Sequence, residues 1–368
     1  MSFNSPRVSA VAYRIDSIVG YCAVISIWGQ MESRMSPDRS LPSVVLVLAL
    51  LLPAPPAACA QSELQTWLNP ELGKLMLRGQ YAFTYYPNQP VERQSTGFRL
   101  LEHDGSILVP IYQDSRNEWT LSAGVGVQEI HTQAILPSTG ERFPDELWDI
   151  QVGAAYRHKF DNGWIGGVSL AVGSASDRPF NSIDEVIVKA LALLRVPHGA
   201  RNAWLFSLIY QSDEEIFSDI PNIPVPGIAY QWVPSDRLAL VIGVPFSSIE
   251  FKPIDKLTLE AQYFPVRRVR ARATYEVFRP LRVYVGFDWD SDHWLRADRR
   301  HNGDQFVYYE KRFTGGVRFD LRHVGVVLSG GYAFDRFYFE GNSYSDRDFN
   351  RVDIESGPFL NARLNVRF

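Results

Sequence analysis

The fold is decided by Gly357-Pro-Phe-Leu-Asn-Ala-Arg-Leu-Asn-Val-Arg-Phe368, in which apolar and polar residues alternate. The apolar positions are Leu360, Ala362, Leu364, Val366 and Phe368. The polar positions between them are Asn361, Arg363, Asn365 and Arg367. Because successive side chains of a strand point to opposite faces, this segment predicts a β-strand with one apolar and one strongly polar face.

The same alternation recurs along the rest of the C-terminal half. In three further segments the charged residues are separated by even numbers of positions, so they share one face of each strand. The first segment has Arg268, Arg270, Arg272 and Glu276, the second has Arg282, Asp288 and Asp290, and the third has Arg318 and Asp320. Weaker alternation predicts strands near 75–85, 96–112, 121–127, 148–156, 164–175, 202–212, 227–234 and 237–246. The segment 187–195 lacks strict alternation, so it is compatible with either a strand or a short helix.

Composition agrees with strands that have one apolar face. Mean hydropathy is −0.14 and aromatic residues make up 13% of the chain, yet after residue 60 no run reaches the roughly 18 apolar residues of a membrane helix. A formal net charge of −4 disfavours a nucleic-acid partner. No cofactor motif is recognisable in the sequence.

The region before residue 61 has the pattern of an export signal. The apolar run 44–52 follows Arg34 and Arg39 and precedes Ala58-Cys59-Ala60, which predicts a signal peptide over 35–60 with cleavage before Gln61. Residues 1–34 are interpreted as an extension from a mis-called translation start, and 61–368 as one mature domain. Cys22 and Cys59 both precede the cleavage site, so disulfides are not expected in the mature chain. A lipoprotein anchored at Cys59 is the alternative.

The terminal strand and the signal peptide together resemble those of bacterial outer-membrane β-barrel proteins of the porin and transporter type. The stretches 330–336 and 344–347 are similar to an outer-membrane family of unknown function. The resemblance implies residence in the cell outer membrane, contact with lipid and lipopolysaccharide, and a closed antiparallel barrel. It also implies that Phe368 is an assembly signal for the barrel-assembly machinery. Outward-facing aromatics of the interfacial girdles are expected at Trp148, Trp164, Trp204, Tyr210, Trp232, Trp289 and Phe368.

Connection lengths predict the topology of such a barrel. Short turns are expected at 161–163, 234–237, 279–280 and 320–323, and long polar loops near 132–145, 177–185, 213–226, 291–304 and 340–356. Short turns are typical of the periplasmic side, so both termini are expected there and the strand number should be even. We predict about 14 strands within a range of 12–16. Sixteen requires 247–254 and 257–264 to form an extra hairpin, which Pro245, Pro253 and Pro265 disfavour.

The polar strand positions predict a charged interior. The candidates that face the lumen are Arg268, Arg270, Arg272, Glu276, Arg282, Asp288, Asp290, Arg318, Asp320, Arg363 and Arg367. One interpretation is a passive pore or small-solute channel whose charges select what passes. The other is a non-conducting structural or adhesive barrel whose interior is filled by salt bridges.

Sites for catalysis or metal binding have weak support in the sequence. The motifs G-x-S-x-G and H-E-x-x-H do not occur. A lipid hydrolase built from Ser122 and His131 is an alternative, but many arbitrary pairs of residues could be combined in the same way. The acidic segment 288–298 has oxygen ligands that calcium accepts, but a solvated loop explains it equally well. We therefore expect no enzyme and no metal site.

Processing of the N-terminus is the first testable prediction. The mature protein should begin at or near Gln61 and should fractionate with the outer membrane, because 35–60 reads as a cleaved export signal. N-terminal mass spectrometry of the membrane fraction measures this directly. A soluble full-length protein would contradict it, and a lipid-modified N-terminus at Cys59 would establish the lipoprotein alternative.

Overall fold

The computed structural model describes residues 71–213, 223–264, 268–342 and 344–368. The predicted extension 1–34, the predicted signal peptide 35–60 and its cysteines lie outside these residues. The strands are β1 (Arg78–Pro90), β2 (Gly97–Gln113), β3 (Asn117–Thr132), β4 (Glu146–Lys159), β5 (Ile165–Ser176), β6 (Ile187–His198), β7 (Asn202–Gln211), β8 (Val225–Ser235), β9 (Leu238–Val244), β10 (Ser247–Ile254), β11 (Leu257–Phe264), β12 (Arg268–Phe278), β13 (Leu281–Trp294), β14 (Gln305–Asp320), β15 (Val324–Gly341), β16 (Val352–Ile354) and β17 (Gly357–Arg367). Two short 3-10 helices span Ile183–Glu185 and Tyr344–Asp346. Among the residues described, no helix is long and apolar enough to cross a membrane.

The strands form one closed antiparallel ring. Each of β1 to β15 pairs with the next, β15 pairs with β17, and β17 pairs with β1. The closing register begins with Arg78 opposite Arg367, and the backbone N–H of Phe368 donates to the carbonyl of Leu77 at 3.0 Å. The short β16 pairs only with the tip of β15 and stands outside the ring. The barrel therefore has sixteen strands, and no strand of the ring keeps an unpaired edge.

The favoured number of 14 strands was too low, although sixteen lies within the predicted range of 12–16, because the extra hairpin exists as β10 and β11. Two of the prolines that disfavoured it occupy positions where they disrupt no regular ladder. Pro245 lies in the connection between β9 and β10, and Pro253 lies in the register shift between Phe251 and Ile254. A strand tolerates proline at its ends and at bulges, so proline count alone is a poor guide here. Pro265 lies outside the described residues.

The ambiguous segment 187–195 is strand β6. It lacks alternation because apolar residues occupy both of its faces. Leu191 and Leu193 pair with inward-facing residues of β5, whereas Ala192 and Leu194 face outward. The inner wall is apolar at this point, so the sequence pattern of a half-polar strand disappears.

The outer face of the ring is apolar and exposed. Val285 is 63% exposed, Leu360 is 65% exposed and Phe368 is 67% exposed, and similar residues surround the barrel. Aromatic pairs occupy the ends of this belt, including Trp119 stacked on Tyr156 with ring centroids 4.5 Å apart. An apolar band flanked by aromatics is the surface that lipid requires of a barrel.

Turn lengths distinguish the two ends of the ring. At the terminal end, where β1 begins and β17 ends, connections are short, as at 236–237, 255–256 and 279–280. At the opposite loop end the connections include 133–145, 177–186, 295–304 and 342–356. The connection 245–246 is an exception, because it is short but lies at the loop end. The expected sorting of short turns and long loops therefore holds around most of the ring.

One predicted strand face needs correction near its start. The sequence placed Leu75 and Leu77 on the same face as Tyr81, but β1 begins at Arg78. Leu75 is 8% exposed, and its backbone N–H and carbonyl both bond to the Gln113 side chain, at 2.9 and 3.0 Å. The segment before β1 is therefore folded against the terminal end of β2.

The closing strand provides the second prediction. Deletion of Phe368 should reduce barrel assembly more than Asn365→Ala does, because the deletion removes the backbone bond to Leu77 and the exposed terminal ring, whereas Asn365 faces inward. Heat-dependent gel mobility of the membrane fraction measures the assembled share. Equal assembly of the two variants would contradict a special role for the terminal aromatic.

Candidate functional site

The upper part of the inner wall carries an ionic network, defined as Arg268, Arg270, Asp288, Asp290, Glu310, Arg312 and Arg336. Arg270 Nε lies 2.6 Å from Asp288 Oδ1. Arg312 lies at the centre, with Nη2 at 2.9 Å from Asp290 Oδ2 and Nη1 at 2.8 Å from Glu310 Oε1. These residues share the inner face because they are directly opposite in register or two residues apart. Their mutual pairing is what buried charges require.

The edges of the network extend to neighbouring strands. Arg268 reaches Asp290 at 3.8 Å and Asp292 at 3.6 Å, and Arg336 Nε lies 3.8 Å from Glu310 Oε2. The buried hydroxyls of Tyr86 and Tyr308 donate to the two oxygens of Glu310, at 2.8 and 2.9 Å. Sequence reasoning missed Glu310, Arg312 and Arg336 of the network, and also the two tyrosines that contact it. A bulge between Tyr309 and Lys311 and an apolar neighbourhood hide their alternation.

A second charged group lies nearer the terminal end. Arg282 lies 3.5 Å from Glu276 and 3.1 Å from Asp320, and Arg318 lies 2.8 Å from the same Asp320. Arg367 is exposed, and its guanidinium donates to the carbonyls of residues 321 and 322 at 3.4 and 3.2 Å. It therefore holds the turn between β14 and β15 and makes no ion pair with these acids.

The wall formed by β6 to β8 carries mainly apolar side chains on its inner face. On β6 to β8 the inward positions include Leu191, Leu193, Leu205, Ile209 and Val225. Leu193 is 8% exposed and Leu205 is 6% exposed. The lumen is thus charged on the side of β12 to β14 and largely apolar on the side of β6 to β8.

Part of the loop end is covered by a packed apolar group, which we call the mouth cluster. Its members are Tyr86, Val91, Phe98, Leu100, Ile130, Ala134, Leu136, Phe143, Leu147, Ala175, Ile187, Trp294, Leu295, Phe306, Tyr308, Ala333, Tyr338, Val352, Ile354 and Phe359. Phe143 from the loop 133–145 inserts its ring edge-on at 5.4 Å from Tyr338 and 5.6 Å from Phe306, centroid to centroid. Edge-to-face rings at these distances attract, so the loop is fixed over the lumen.

The loop 295–304 crosses the mouth from one wall to the other. The backbone N–H of Leu295 donates to the carbonyl of Ala175 at 2.8 Å, although β13 and β5 are eight strands apart in the ring of sixteen. Arg299 Nη1 then lies 3.3 Å from the buried Glu185, and Arg296 Nη2 lies 3.2 Å from Glu141. These contacts tie opposite walls together at the loop end.

A contact between a histidine and an aspartate also ties one wall to the other at the loop end. His293 Nε2 lies 3.1 Å from Asp213 Oδ2, which belongs to the connection after β7. Burial opposes the charge of Asp213, but the hydrogen bond and the charge of His293 outweigh it and hold the pKa of that carboxyl below its usual range. The carboxylate therefore stays ionised over the physiological pH range.

Two inward-facing acids are accessible to solvent. Asp104 lies opposite the inward-facing Ala82 and is exposed, and the Asp292 side chain is 44% exposed. Arg272 and Arg363, also on the inner face, make no ion pair within the described residues. Thus the interior is only partly filled by paired charges.

The enzyme and metal alternatives find little geometric support. Ser122 pairs with Leu108 on the inner face of β3, whereas His131 pairs with Arg99 and points outward, so the suggested hydrolase pair is not brought together. The acidic segment 288–294 is part of β13. In the described part of the chain, no three His, Cys, Asp or Glu side chains are grouped so as to hold a metal ion.

Comparisons with known proteins give only distant likenesses. No protein-family model matches the chain, and no curated protein matches it. An outer-membrane channel from Pseudomonas putida is 10% identical, with 80% of this chain and 95% of that chain covered and a TM-score of 0.35. A mutant porin of Rh. blastica is 12% identical, with 80% and 99% covered and a TM-score of 0.35. The β domain of a Bordetella autotransporter is 10% identical, with 80% and 99% covered and a TM-score of 0.29.

Likenesses this distant do not assign an activity. The closed hydrogen-bonded ring, the apolar outer face and the charged inner face are properties of the chain itself. They make it a β-barrel of the outer-membrane type, as the terminal strand predicted.

Removal of the central arginine provides the third prediction. Arg312→Met should lower the free energy of unfolding by about 3–5 kcal/mol, because it removes the nearest cationic partner of the buried Asp290 and Glu310. Arg116→Met is the control, since Arg116 pairs with Asp161 at an exposed turn and should cost no more than about 1 kcal/mol. Urea unfolding in detergent, followed by tryptophan fluorescence, measures both. Similar losses in the two variants would show that the network contributes little to stability.

Proposed function

We propose that the protein is a passive outer-membrane channel for small hydrophilic solutes. The observation that carries this proposal is the coexistence of exposed acids with unpaired arginines on the inner wall. Asp104 and Asp292 are open to solvent, while Arg272, which has Glu260 opposite in register, and Arg363 make no ion pair among the described residues. A barrel packed for structure alone would pair such charges, because unpaired charges in a dry interior are costly.

The route for solutes lies beside the mouth cluster. That cluster draws its described members from β1 to β6, β13 to β17 and the loops between them, and β7 to β12 supply none. Strands β9, β10 and β11 have only 7, 8 and 8 residues, so the wall is low on this side. The crossing loop therefore leaves the side of β7 to β12 for passage.

Charge distribution supports selection along this route. Arg270 and Arg272 lie on β12, whereas Asp104 lies on β2, six strands away around the ring. Opposite charges on separate parts of the wall set a transverse field that orients polar solutes and favours ions of one sign. The apolar wall of β6 to β8 narrows the polar path to one side.

The orientation and partners of the channel follow from the same proposal. The terminal end faces the periplasm and the loop end faces outside, where the outer belt meets lipopolysaccharide. After cleavage of the signal peptide, the barrel-assembly machinery recognises the strand that ends at Phe368. Of the lumen candidates named from the sequence, Arg268, Arg270 and Arg272 of β12 then lie beside the pathway.

A non-conducting barrel is the second candidate. The mouth cluster and the crossing loop 295–304 favour it, since they cover much of the loop end with packed side chains. Such a barrel would serve envelope structure or adhesion. Conductance separates the two candidates.

Two single-cysteine variants provide the fourth prediction. In planar bilayers the mature chain, which has no cysteine of its own beyond residue 60, should form channels. An anionic, water-soluble thiol reagent should lower the conductance of Arg272→Cys, because position 272 faces the lumen. Ala271→Cys is the control, since its side chain faces lipid.

Each outcome of this experiment decides one point. Absence of channels in the wild type would favour the non-conducting barrel. A response from Ala271→Cys and none from Arg272→Cys would show that the assigned faces are reversed. If the reagent lowers the conductance of neither variant, solutes do not pass β12.

A further inference from the structure

Four ionisable side chains lie together on the outer face of the barrel near the loop end. Arg99 is directly opposite His131 in the pairing of β2 with β3, and Glu129 is directly opposite Glu146 in the pairing of β3 with β4. Alternation places them outward, because Ile130, which separates two of them on β3, is buried in the mouth cluster on the inner face. Ionisable residues that face lipid are rare and costly, so a group of four requires a cause.

The height of the group places it at the edge of the apolar belt. Trp119, stacked on Tyr156, belongs to the aromatic belt near the terminal end of β3. From position 119 to position 129 a strand extends about 33 Å. Because barrel strands are tilted by about 40°, this corresponds to roughly 25 Å across the membrane, which is the height of an apolar band. Glu129 and the residues beside it therefore lie at the level of lipid headgroups.

Aromatic neighbours hold the two carboxylates in place. Trp148 Nε1 donates to Glu146 Oε2 at 3.1 Å. His103 Nε2 lies 3.6 Å from Glu129 Oε1, and Nδ1 of the same ring lies 2.8 Å from the Tyr81 hydroxyl. The Glu129 side chain is nevertheless 39% exposed, and Glu146 is exposed. Because like charges directly opposite each other repel, this pair of glutamates favours a cation beside it.

The basic partners lie next to these acids. His131 is two positions from Glu129 on the same face of β3, which is about 7 Å along the strand. Arg99 and His131 are exposed, and neither forms an ion pair with a described residue. The guanidinium of Arg99 matches phosphate oxygens, and the imidazole ring of His131 supplies a further N–H donor. Positive charge thus lies on the side of β2 and negative charge on the side of β4.

We propose that this group binds the headgroup of a membrane lipid that carries phosphoethanolamine. The phosphate contacts Arg99 and His131, and the ammonium lies between Glu129 and Glu146. An anionic headgroup without an ammonium would bring its charge close to the two glutamates, and a quaternary ammonium has no N–H to donate to them. The inference goes beyond the proposed channel, because it concerns the lipid side of the wall and holds whether or not the lumen conducts.

Native mass spectrometry of the mature barrel in detergent, with three lipids of identical acyl chains, tests the site. Phosphatidylethanolamine should bind about fivefold more tightly than phosphatidylglycerol or phosphatidylcholine, as expected for an exposed ion pair. Equal binding of the three lipids, or tighter binding of either of the other two, would overturn the proposal. This comparison uses the unaltered protein, so it does not depend on how any variant assembles.

Removal of the acids tests the assigned position of the ammonium. Glu129→Gln/Glu146→Gln should lose the preference for phosphatidylethanolamine over phosphatidylglycerol. Asp161→Asn/Asp236→Asn is the matched control, because it removes the same charge from exposed turns at the terminal end and should keep the preference. Preference retained in the first variant, or lost in the control, would contradict the site. Heat-dependent gel mobility verifies that each barrel is folded.

Removal of the basic pair tests the assigned position of the phosphate. Arg99→Gln/His131→Gln should weaken the binding of phosphatidylethanolamine by about fivefold, because the phosphate loses its charged donor. Unchanged binding by this variant would show that the phosphate does not contact these residues and would overturn the site. Single-channel conductance should be the same in both lipid-site variants as in the wild type, because all four side chains lie outside the lumen.

Discussion

Closure of the hydrogen-bonded ring between β17 and β1 is the constraint on which the rest of the structure depends. A backbone in lipid has no water to satisfy its polar groups, so every strand must have a partner on both sides. Eight residue pairs, from Arg78 with Arg367 to Tyr85 with Leu360, and the bond from Phe368 to Leu77 complete this requirement. Without that seam β1 and β17 would each present an open edge, and the membrane would not tolerate it.

Closure then gives the two faces of every strand different surroundings, with lipid on the outside and the lumen on the inside. The outer face carries exposed apolar residues such as Val285 and Leu360, which suit lipid. The inner face receives the charges, and in a confined interior these pair where acids and bases are adjacent in register, as Arg270 with Asp288. Register alone does not settle the pairing, because Arg272 has Glu260 opposite and yet makes no ion pair among the described residues. Which charges of the inner wall pair therefore depends on how the side chains meet.

Unequal wall height shapes the mouth. The strands β14 and β15 have 16 and 18 residues and carry aromatics inward above the ionic network, whereas β9 to β11 are short. The tall side supplies the mouth cluster, and the loop 295–304 ties it to β5. In the described part of the chain, the tall side of the barrel is thus covered at the loop end, and the proposed route for solutes lies on the low side.

The sequence by itself determined the fold class and the apolar and polar faces of the C-terminal strands, because a period of two survives wherever one face meets lipid and the other meets charge. The sequence pattern disfavoured the hairpin of β10 and β11, although proline is tolerated at bulges. It also did not decide between strand and helix for β6, since both faces of that strand are apolar. The sequence pattern could not predict which charges form ion pairs. Arg270 and Arg272 occupy equivalent positions in the pattern, yet on β13 Asp288 lies opposite Arg270 and Gly286 lies opposite Arg272. The mouth cluster, the crossing of loop 295–304 and the Glu310 contacts were decided only by the tertiary structure, because they join residues far apart along the chain whose proximity depends on how the ring closes.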